Sequence, residues 1–428
     1  MRTRSVLGAL ASLVVVACGS GTNEPFEVAQ SGLARDTSPN ATAAEIAQLS
    51  SGNAALAVDL YKQAVGGAGS GDVFFSPYSI SSALAMSYAG ARGGTATEMA
   101  GALHFTLPDA RLHTAFDAVD LALAKRGQGA KAADGKAFRL NVVNSVFGQK
   151  GYPFEKPFLD TLALNYGAGV RLCDFERQAE PARKMINQWV TDKTESRIND
   201  LLQPGSIGSD TRLVLVDAIY FNGAWMHPFE AKDTATGPFH ALDGSVGSTP
   251  MMNQTESFGY AADDAAQALE LPYEGGEVSM VVVLPRGDFK TYESTFDANK
   301  AQAIFSGLKS QEVRVSLPRF EIRGATVSLK PALEALGMKT AFTDAADFSG
   351  IVKPSVERLY IGDVLHQAFV KVDEKGTEAA AATAVVFKAG AAPVEPPSFV
   401  ANKPFLFFVR DVPTNTVLFA GRVAAAPK

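Results

Sequence analysis

Val372-Asp373-Glu374-Lys375-Gly376-Thr377-Glu378-Ala379-Ala380-Ala381-Ala382-Thr383 opens the stretch on which the reading of this 428-residue chain turns. From Glu374 to Ser398 the residues are mostly small, Pro393, Pro396 and Pro397 gather near the end, and no core periodicity runs through them. A loop of that length inside a compact domain is usually functional or disordered. On composition alone, its Ala run reads first as a short helix or low-complexity filler. No Pro occurs from Glu374 to Ala392, so every backbone N–H there can join a sheet ladder.

The segments around this loop are core-forming. Arg212 to Phe221, Val278 to Leu284, Val313 to Leu317, Leu140 to Phe147 and Phe405 to Val409 are β-rich. Met280-Val281-Val282-Val283-Leu284 is apolar at successive positions, the pattern of a strand covered on both faces. Leu56, Leu60, Tyr61 and Ala64 recur at helical spacing, and Pro77 to Ala91 reads as an almost wholly apolar helix entered through Ser76. A third helical pattern runs from Pro181 to Ser196, with Ile186, Trp189 and Val190 on one side. With no internal repeat and no second linker, the chain reads as one large α+β domain with a dominant central sheet and surrounding helices.

Composition narrows the function. Hydrophobic residues make up 46% and charged residues 20%, and 39 basic against 45 acidic side chains leave a net charge of −6. No run of Lys or Arg tracks a phosphate backbone, which argues against nucleic acid as a partner. The most basic stretch, Lys125, Arg126, Lys131 and Lys136, reads as a solvated face. The five histidines lie in no metalloprotease or nucleophile-elbow setting, and no CxxC pair occurs. The chain is therefore read as a non-enzyme that needs no cofactor or metal.

The N-terminus reads as a processing signal. Arg2 and Arg4 precede an apolar run from Val6 to Ala17, shorter than the roughly 20 residues that span a bilayer. It ends in Val15-Val16-Ala17-Cys18, which resembles a bacterial lipobox with Cys18 as the lipidated residue; ordinary signal cleavage beside an incidental Cys is the alternative. The expected organisation is a signal peptide over 1–17, a lipidated Cys and flexible tether over 18–45, rich in Gly, Ser, Thr and Asn, and a folded domain over 46–428. The other cysteine, Cys173, lies in an alternating apolar segment and reads as a buried structural thiol.

Five segments together give a resemblance. Val73 to Met99 (VFFSPYSISSALAMSYAGARGGTATEM), Leu213 to Trp225 (LVLVDAIYFNGAW), Leu317 to Ile322 (LPRFEI), Val372 to Thr383 and Phe399 to Val409 (FVANKPFLFFV) are similar, in this order and spacing, to the serpin family, over essentially Ile46 to Val423. The resemblance implies a serpin fold whose loop, about 374–398, is a bait for serine proteases. It also implies that the cleaved loop inserts as a strand into the main sheet and traps the acyl-enzyme. Insertion would bury Thr377, Ala379, Ala381, Thr383 and Val385, all small, and leave Glu378, Ala380, Ala382 and Ala384 on the other face. Gly376 would be the pivot of a hinge that begins at Glu374.

By the same resemblance Ser76, Ser79 and His366 match a polar cluster beneath the sheet opening, and Trp225 the aromatic at its upper end. Where the family usually has Asn in that cluster this chain has Asp217, which accepts but does not donate when ionised. The reactive bond falls at Gly390-Ala391 when counted from Glu374. Counting back from Asn402-Lys403-Pro404-Phe405 disagrees, leaving Phe387, Lys388 and Ala389 open. The expected partner is an elastase-like or subtilisin-like serine protease, or a cysteine protease, met by a monomer outside the cytoplasm. The rival is a non-inhibitory serpin acting as a binding or chaperone-like module.

Overall fold

The computed structural model describes residues 25–132, 134–324, 326–377 and 395–427. In chain order the elements are β1 (Glu27–Ala29), α1 (Ala43–Ala68), β2 (Val73–Phe75), α2 (Pro77–Tyr88), α3 (Gly93–Ala102), α4 (Asp109–Leu123), β3 (Arg139–Gln149), α5 (Lys156–Tyr166), β4 (Val170–Cys173), α6 (Phe175–Lys193) and β5 (Leu213–Ala224). There follow β6 (Ala235–His240), β7 (Val246–Ala262), β8 (Ala266–Pro272), β9 (Val278–Pro285), α7 (Phe289–Ser294), α8 (Ala298–Gly307), β10 (Lys309–Pro318), β11 (Phe320–Arg323), β12 (Val327–Ser328) and α9 (Lys330–Ala335). The chain ends with β13 (Leu365–Asp373), β14 (Gly376–Thr377), β15 (Ser398–Val400), β16 (Phe405–Asp411) and β17 (Thr416–Val423).

Two sheets organise these elements. One runs β1-β4-β3-β5-β14-β13-β11, with β12 also on β13; the other runs β15-β10-β7-β8-β9-β16-β17-β2, with β6 on β7. The chain leaves the first sheet at Thr377 and enters the second at Ser398, so the Ala-rich stretch bridges the two. Every residue of β9 and β16 is buried, as expected for strands covered on both faces.

Alternation along the first sheet sends its residues to two different cores. Leu215, Ile219 and Phe221 of β5 join the large core that also contains α1 and α2, whereas Val216 and Ala218 pack with Ile186, Trp189 and Val190 of α6 on the opposite face. Helix starts follow local chemistry. Thr42 and Glu45 form a capping box before α1, Glu45 accepting the Thr42 N–H at 2.8 Å, and Ser76 caps α2 with Pro77 in its first turn. The hydrogen bond from Arg111 to Glu45 holds that carboxyl down at about 2. Helix α6 begins at Phe175, earlier than the periodicity predicts. Its first turn breaks from helical geometry at Gln178, three residues before Pro181.

Two expectations are corrected. The stretch from Pro25 to Thr42 is not a free tether: β1 pairs with β4, Phe26 is buried, and the folded body begins at the first described residues. Its composition is polar, yet one aromatic and a few backbone pairs anchor it. Arg126 is likewise no solvated charge. Its side chain is largely buried, with Nε 2.6 Å from the fully buried Asp411 carboxylate and Nη1 3.1 Å from Glu277, because a buried carboxylate needs a partner. Cys173 sits where expected, buried in β4, and burial pushes its thiol up to about 12.

Candidate functional site: the seam of the large sheet

The first sheet has a seam between β5 and β13. Over Val216–Ile219 these strands pair directly and in parallel with Leu365–Ala368, and above that point β14 lies between them. Gly376 and Thr377 pair with Ala224 and Gly223 on one side, and with Asp373 and Val372 on the other. The root of the loop is thus already a short strand at the upper end of the seam.

Trp225 and Tyr273 build that upper end. Their rings stack at 4.5 Å, the Trp225 indole Nε1 donates to the Asp373 carbonyl at 2.9 Å, and the Trp225 backbone N–H donates to the Lys375 carbonyl at 2.8 Å. Tyr273 Oη lies 2.9 Å from Thr377 Oγ1, both groups buried. The Glu374 backbone carbonyl accepts from Phe229 at 2.7 Å. Its carboxylate receives Arg319 Nε at 2.7 Å and Thr234 Oγ1 at 2.5 Å. Burial would raise this carboxyl, but the Arg319 and Thr234 hydrogen bonds outweigh it and hold the group below its ordinary range. Glu374 and Thr377 are therefore buried anchors, not the exposed start of a bait. Gly376 is less a free pivot than a point of close approach. At φ +146° a Cβ there would lie 2.1 Å from the Gly223 carbonyl oxygen, so only glycine fits.

Beneath the paired stretch lies the polar cluster. Asp217 on β5 and His366 on β13 face each other across the seam on the side of α2, His366 Nδ1 being 3.2 Å from Asp217 Oδ2. His366 Nε2 accepts the Ser76 backbone N–H at 3.1 Å, so the ring hydrogen belongs on Nδ1, pointing at the carboxylate. Ser79 donates to the other oxygen of Asp217. Ser76 Oγ donates to the Leu418 carbonyl at 2.6 Å and accepts the Ser79 N–H. The structure thus brings together Ser76, Ser79, Asp217 and His366, while Trp225 serves the upper end. It adds residues that sequence reasoning passed over: Asn144, whose Oδ1 is 2.9 Å from Ser79 Oγ and whose Nδ2 donates to the Ser79 carbonyl, and Tyr273, Arg319 and Thr234. Arg319 lies within the LPRFEI segment; Asn144 is one polar residue in an alternating strand and carries no signal of its own.

Glu378, Ala379, Ala380, Ala381, Ala382 and Thr383 of the hinge, the bait candidates Phe387, Lys388, Ala389, Gly390 and Ala391, and Cys18 lie outside the described residues. Among the described residues no group of His, Cys, Asp and Glu is placed to hold a metal ion, and no helix is long and apolar enough to cross a membrane.

A sheet with a seam, a buried hinge root and a long connection to a second sheet define one class of protein. Residues 51–426 match the model of the serpin family, described as serine protease inhibitors, and the chain belongs to that family. It is 41% identical over 369 residues to an uncharacterized serpin-like protein of Thermococcus kodakarensis, covering 85% of this chain and 83% of the relative. It is 38% identical over 390 residues to leukocyte elastase inhibitor A of Rattus norvegicus, covering 88% and 99%. Among solved structures, native tengpin, a thermophilic serpin, superimposes with a TM-score of 0.76 at 28% identity over 87% of this chain and 93% of tengpin. Uncleaved ovalbumin gives 0.77 at 28% identity over 88% and 100%.

The Asp217 arrangement generates a prediction. An Asn at this position presents one acceptor and one donor where the cluster supplies two donors, Ser79 Oγ–H and His366 Nδ1–H. Ser79 Oγ–H can turn to Asn144 Oδ1 at 2.9 Å, so the amide costs the cluster its charged acceptor and leaves no donor bare, at about 1 kcal/mol. Asp217→Asn and His366→Ala should each lower the midpoint of thermal unfolding. The double variant should fall well short of the sum of the two, since the groups share one contact. Additive shifts in calorimetry would show that the two residues act separately.

Proposed function

We propose that this chain is a suicide inhibitor of serine proteases that traps the acyl-enzyme by drawing its cleaved loop into the seam between β5 and β13. The observation that carries the reading is β14: the loop's root is already paired into the slot, antiparallel to both neighbours, with Thr377 facing the body against Tyr273. Each further step along the loop in that register moves one residue back along β5 and one back along β13. Residue 383 would then fall opposite Asp217 on one side and His366 on the other, and residue 387 opposite Leu213, the first residue of β5. Thr383 would separate the Asp217–His366 contact and offer a hydroxyl that both donates and accepts. The inserted strand would end at a cleft of about 480 Å³ lined by Leu213 and Leu365 together with the polar Asp210, Arg212, Glu357 and Asp363.

A reactive bond after that point, at Gly390-Ala391 or its neighbours, leaves a strand of full length. The protease would be carried to the far end of the sheet, and displacement of its catalytic groups by even about 1 Å slows deacylation by roughly two orders of magnitude. The small residues Ala389, Gly390, Ala391 and Ala392 suit a shallow primary pocket, and several relatives are named as leukocyte elastase inhibitors. An elastase-like or subtilisin-like protease is the proposed target. In a panel with trypsin as control, mass spectrometry of the released fragment should place cleavage at Gly390-Ala391. A covalent complex formed after Lys388 would instead assign a trypsin-like target.

The mechanism is tested by Thr377→Arg, whose guanidinium should leave the buried place against Tyr273 and take the root of the loop out of the slot, so that insertion must then bury the charge. A buried charge without a partner costs several kcal/mol, and each 1.4 kcal/mol added to the insertion barrier slows it tenfold. The wild type should form a denaturant-resistant complex near one-to-one, whereas the variant should be cleaved at the same bond and release active protease. A variant that still traps protease stoichiometrically would overturn insertion in this register, and a wild type merely cleaved by every protease tried would favour a non-inhibitory binding module.

The N-terminal segment places the inhibitor outside the cytoplasm in this reading, held at a membrane through lipid on Cys18. The several acyl chains of a bacterial lipoprotein bind firmly where one binds only marginally. Cys18→Ser should move the protein from the membrane to the soluble fraction or block its processing. An unchanged membrane fraction would rule the lipid out.

A further inference from the structure

The chain enters the folded body at the lower end of the seamed sheet. Glu27 pairs with Leu172 of β4, Leu172 with Gly148 of β3, and Gly148 with Leu213, the first residue of β5. Glu27 is thus level with the bottom of β5, and Phe26 and Pro25 continue past it. This entry is held firmly. Phe26 is buried and packs edge-on against Phe147 at 5.0 Å, and Arg35 Nε lies 2.8 Å from the fully buried Asp117 of α4. The loop leaves from the opposite end, where Gly376 and Thr377 pair with Ala224 and Gly223. From Leu213 to Ala224 a strand rises about 36 Å.

The tether to the lipid is short. Cys18 precedes Pro25, the first described residue, by 25 − 18 = 7 residues, which span at most about 25 Å when fully extended. The lower end of the body is therefore kept close to whatever surface holds Cys18. That end also carries exposed apolar side chains. Arg212, one residue before β5, places Nε 2.8 Å from Glu357 and 2.9 Å from Tyr152 Oη, and the Glu155 N–H donates to the Ile351 carbonyl at 2.8 Å. These contacts bring the 350–360 loop beneath the sheet. On it Val356 is 50% exposed and Tyr360 46%. Tyr is favoured where lipid headgroups meet water. The nearby Lys150 and Lys353 face the carboxylates of Glu27 and Glu155 at 2.7 and 3.9 Å, so anionic lipid is not needed to seat this end.

We propose that the lower end of the seamed sheet, with Val356 and Tyr360, rests on the bilayer that holds Cys18, and that the loop is presented on the side facing away from it. The inference rests on the lipid reading above and adds to it the orientation of the body. It also narrows the partner to a protease arriving from the aqueous side, not one embedded in the same bilayer. On the insertion reading a captured protease is carried to this same lower end, so the body would have to tip on its tether to admit it.

The test uses the lipidated full chain in phosphatidylcholine vesicles that carry a quencher on their headgroups. A fluorophore is placed on Val356→Cys at the lower end or on Met226→Cys, a 43% exposed position beside Trp225 at the upper end. Cys18 is blocked by its lipid and Cys173 by burial. The label at 356 should be quenched several-fold more strongly than the label at 226. Inserting about 20 Gly and Ser residues after Gly21 adds about 70 Å of reach and should shrink that difference. Equal quenching at the two positions, stronger quenching at 226, or a difference indifferent to tether length overturns the orientation while the lipid reading stands. A wild type that partitions between membrane and soluble fractions as Cys18→Ser does overturns the lipid reading, and the orientation with it.

Discussion

Four consecutive residue pairs, Val216–Ile219 on β5 against Leu365–Ala368 on β13, hold the large sheet shut. Everything that distinguishes this fold from an ordinary pair of packed sheets depends on that short parallel contact. Elsewhere in the first sheet, β3 and β5 pair from Arg139 to Gly148, and in the second, β7 and β10 pair along the whole of β10. A contact of four pairs is weak beside these. It also lies beside β14, a strand of two residues that enters the same gap from above. The sheet therefore contains the start of a further strand beside its shortest join in this region.

The residues beneath the join are polar, which is unusual in the middle of a core this large. An apolar layer in place of Ser76, Ser79, Asn144, Asp217 and His366 would give more burial and no desolvation cost, and buried polar groups are weak evidence for stability. What they provide is directionality. Ser76 ties α2 to β17 through the Leu418 carbonyl and to β13 through His366, while Ser79 ties the same helix to β5 and β3 through Asp217 and Asn144. One turn of helix thus holds strands from both sides of the seam. A network of this kind is satisfied in one arrangement and must be broken and remade in another, which on the proposed insertion mechanism would place a barrier between the two states.

The legibility of these features follows from their range. Ser76-Pro77 and the apolar run after it describe α2 locally, and Val278–Leu284 describes a buried strand by composition alone, so both were readable. Asp217 and His366 are far apart in sequence and meet only through strand pairing; they were placed by resemblance to a family, not by periodicity. Asn144 had neither aid. The segment around β1 was read as a tether because β1 has only three residues, too few for a period-two pattern, and its flanks are polar. Its seat is Gly169, whose role depends on a chain passing overhead. Arg126 was misread for the same reason: its partner Asp411 comes from the opposite end of the sequence and is fully buried.

The register of β14 links these separate pieces. Because it is antiparallel to both neighbours, a strand extended from it meets β5 and β13 at positions whose sum along each ladder is constant, and the place where it meets Asp217 is also the place where it meets His366. The residue due at that place is Thr383, small enough to enter the interior and able to both donate and accept. Asp217, as a carboxylate, takes hydrogens from Ser79 and His366 in the closed seam, and after separation it has a lone pair free for a hydroxyl. An amide at 217 could present a donor to that hydroxyl, whereas the carboxylate can only accept. The substitution that sets this chain apart from the family pattern thus bears on the open state as much as the closed one. On the proposed insertion mechanism, the difference would act through one hydrogen bond's polarity, not through packing.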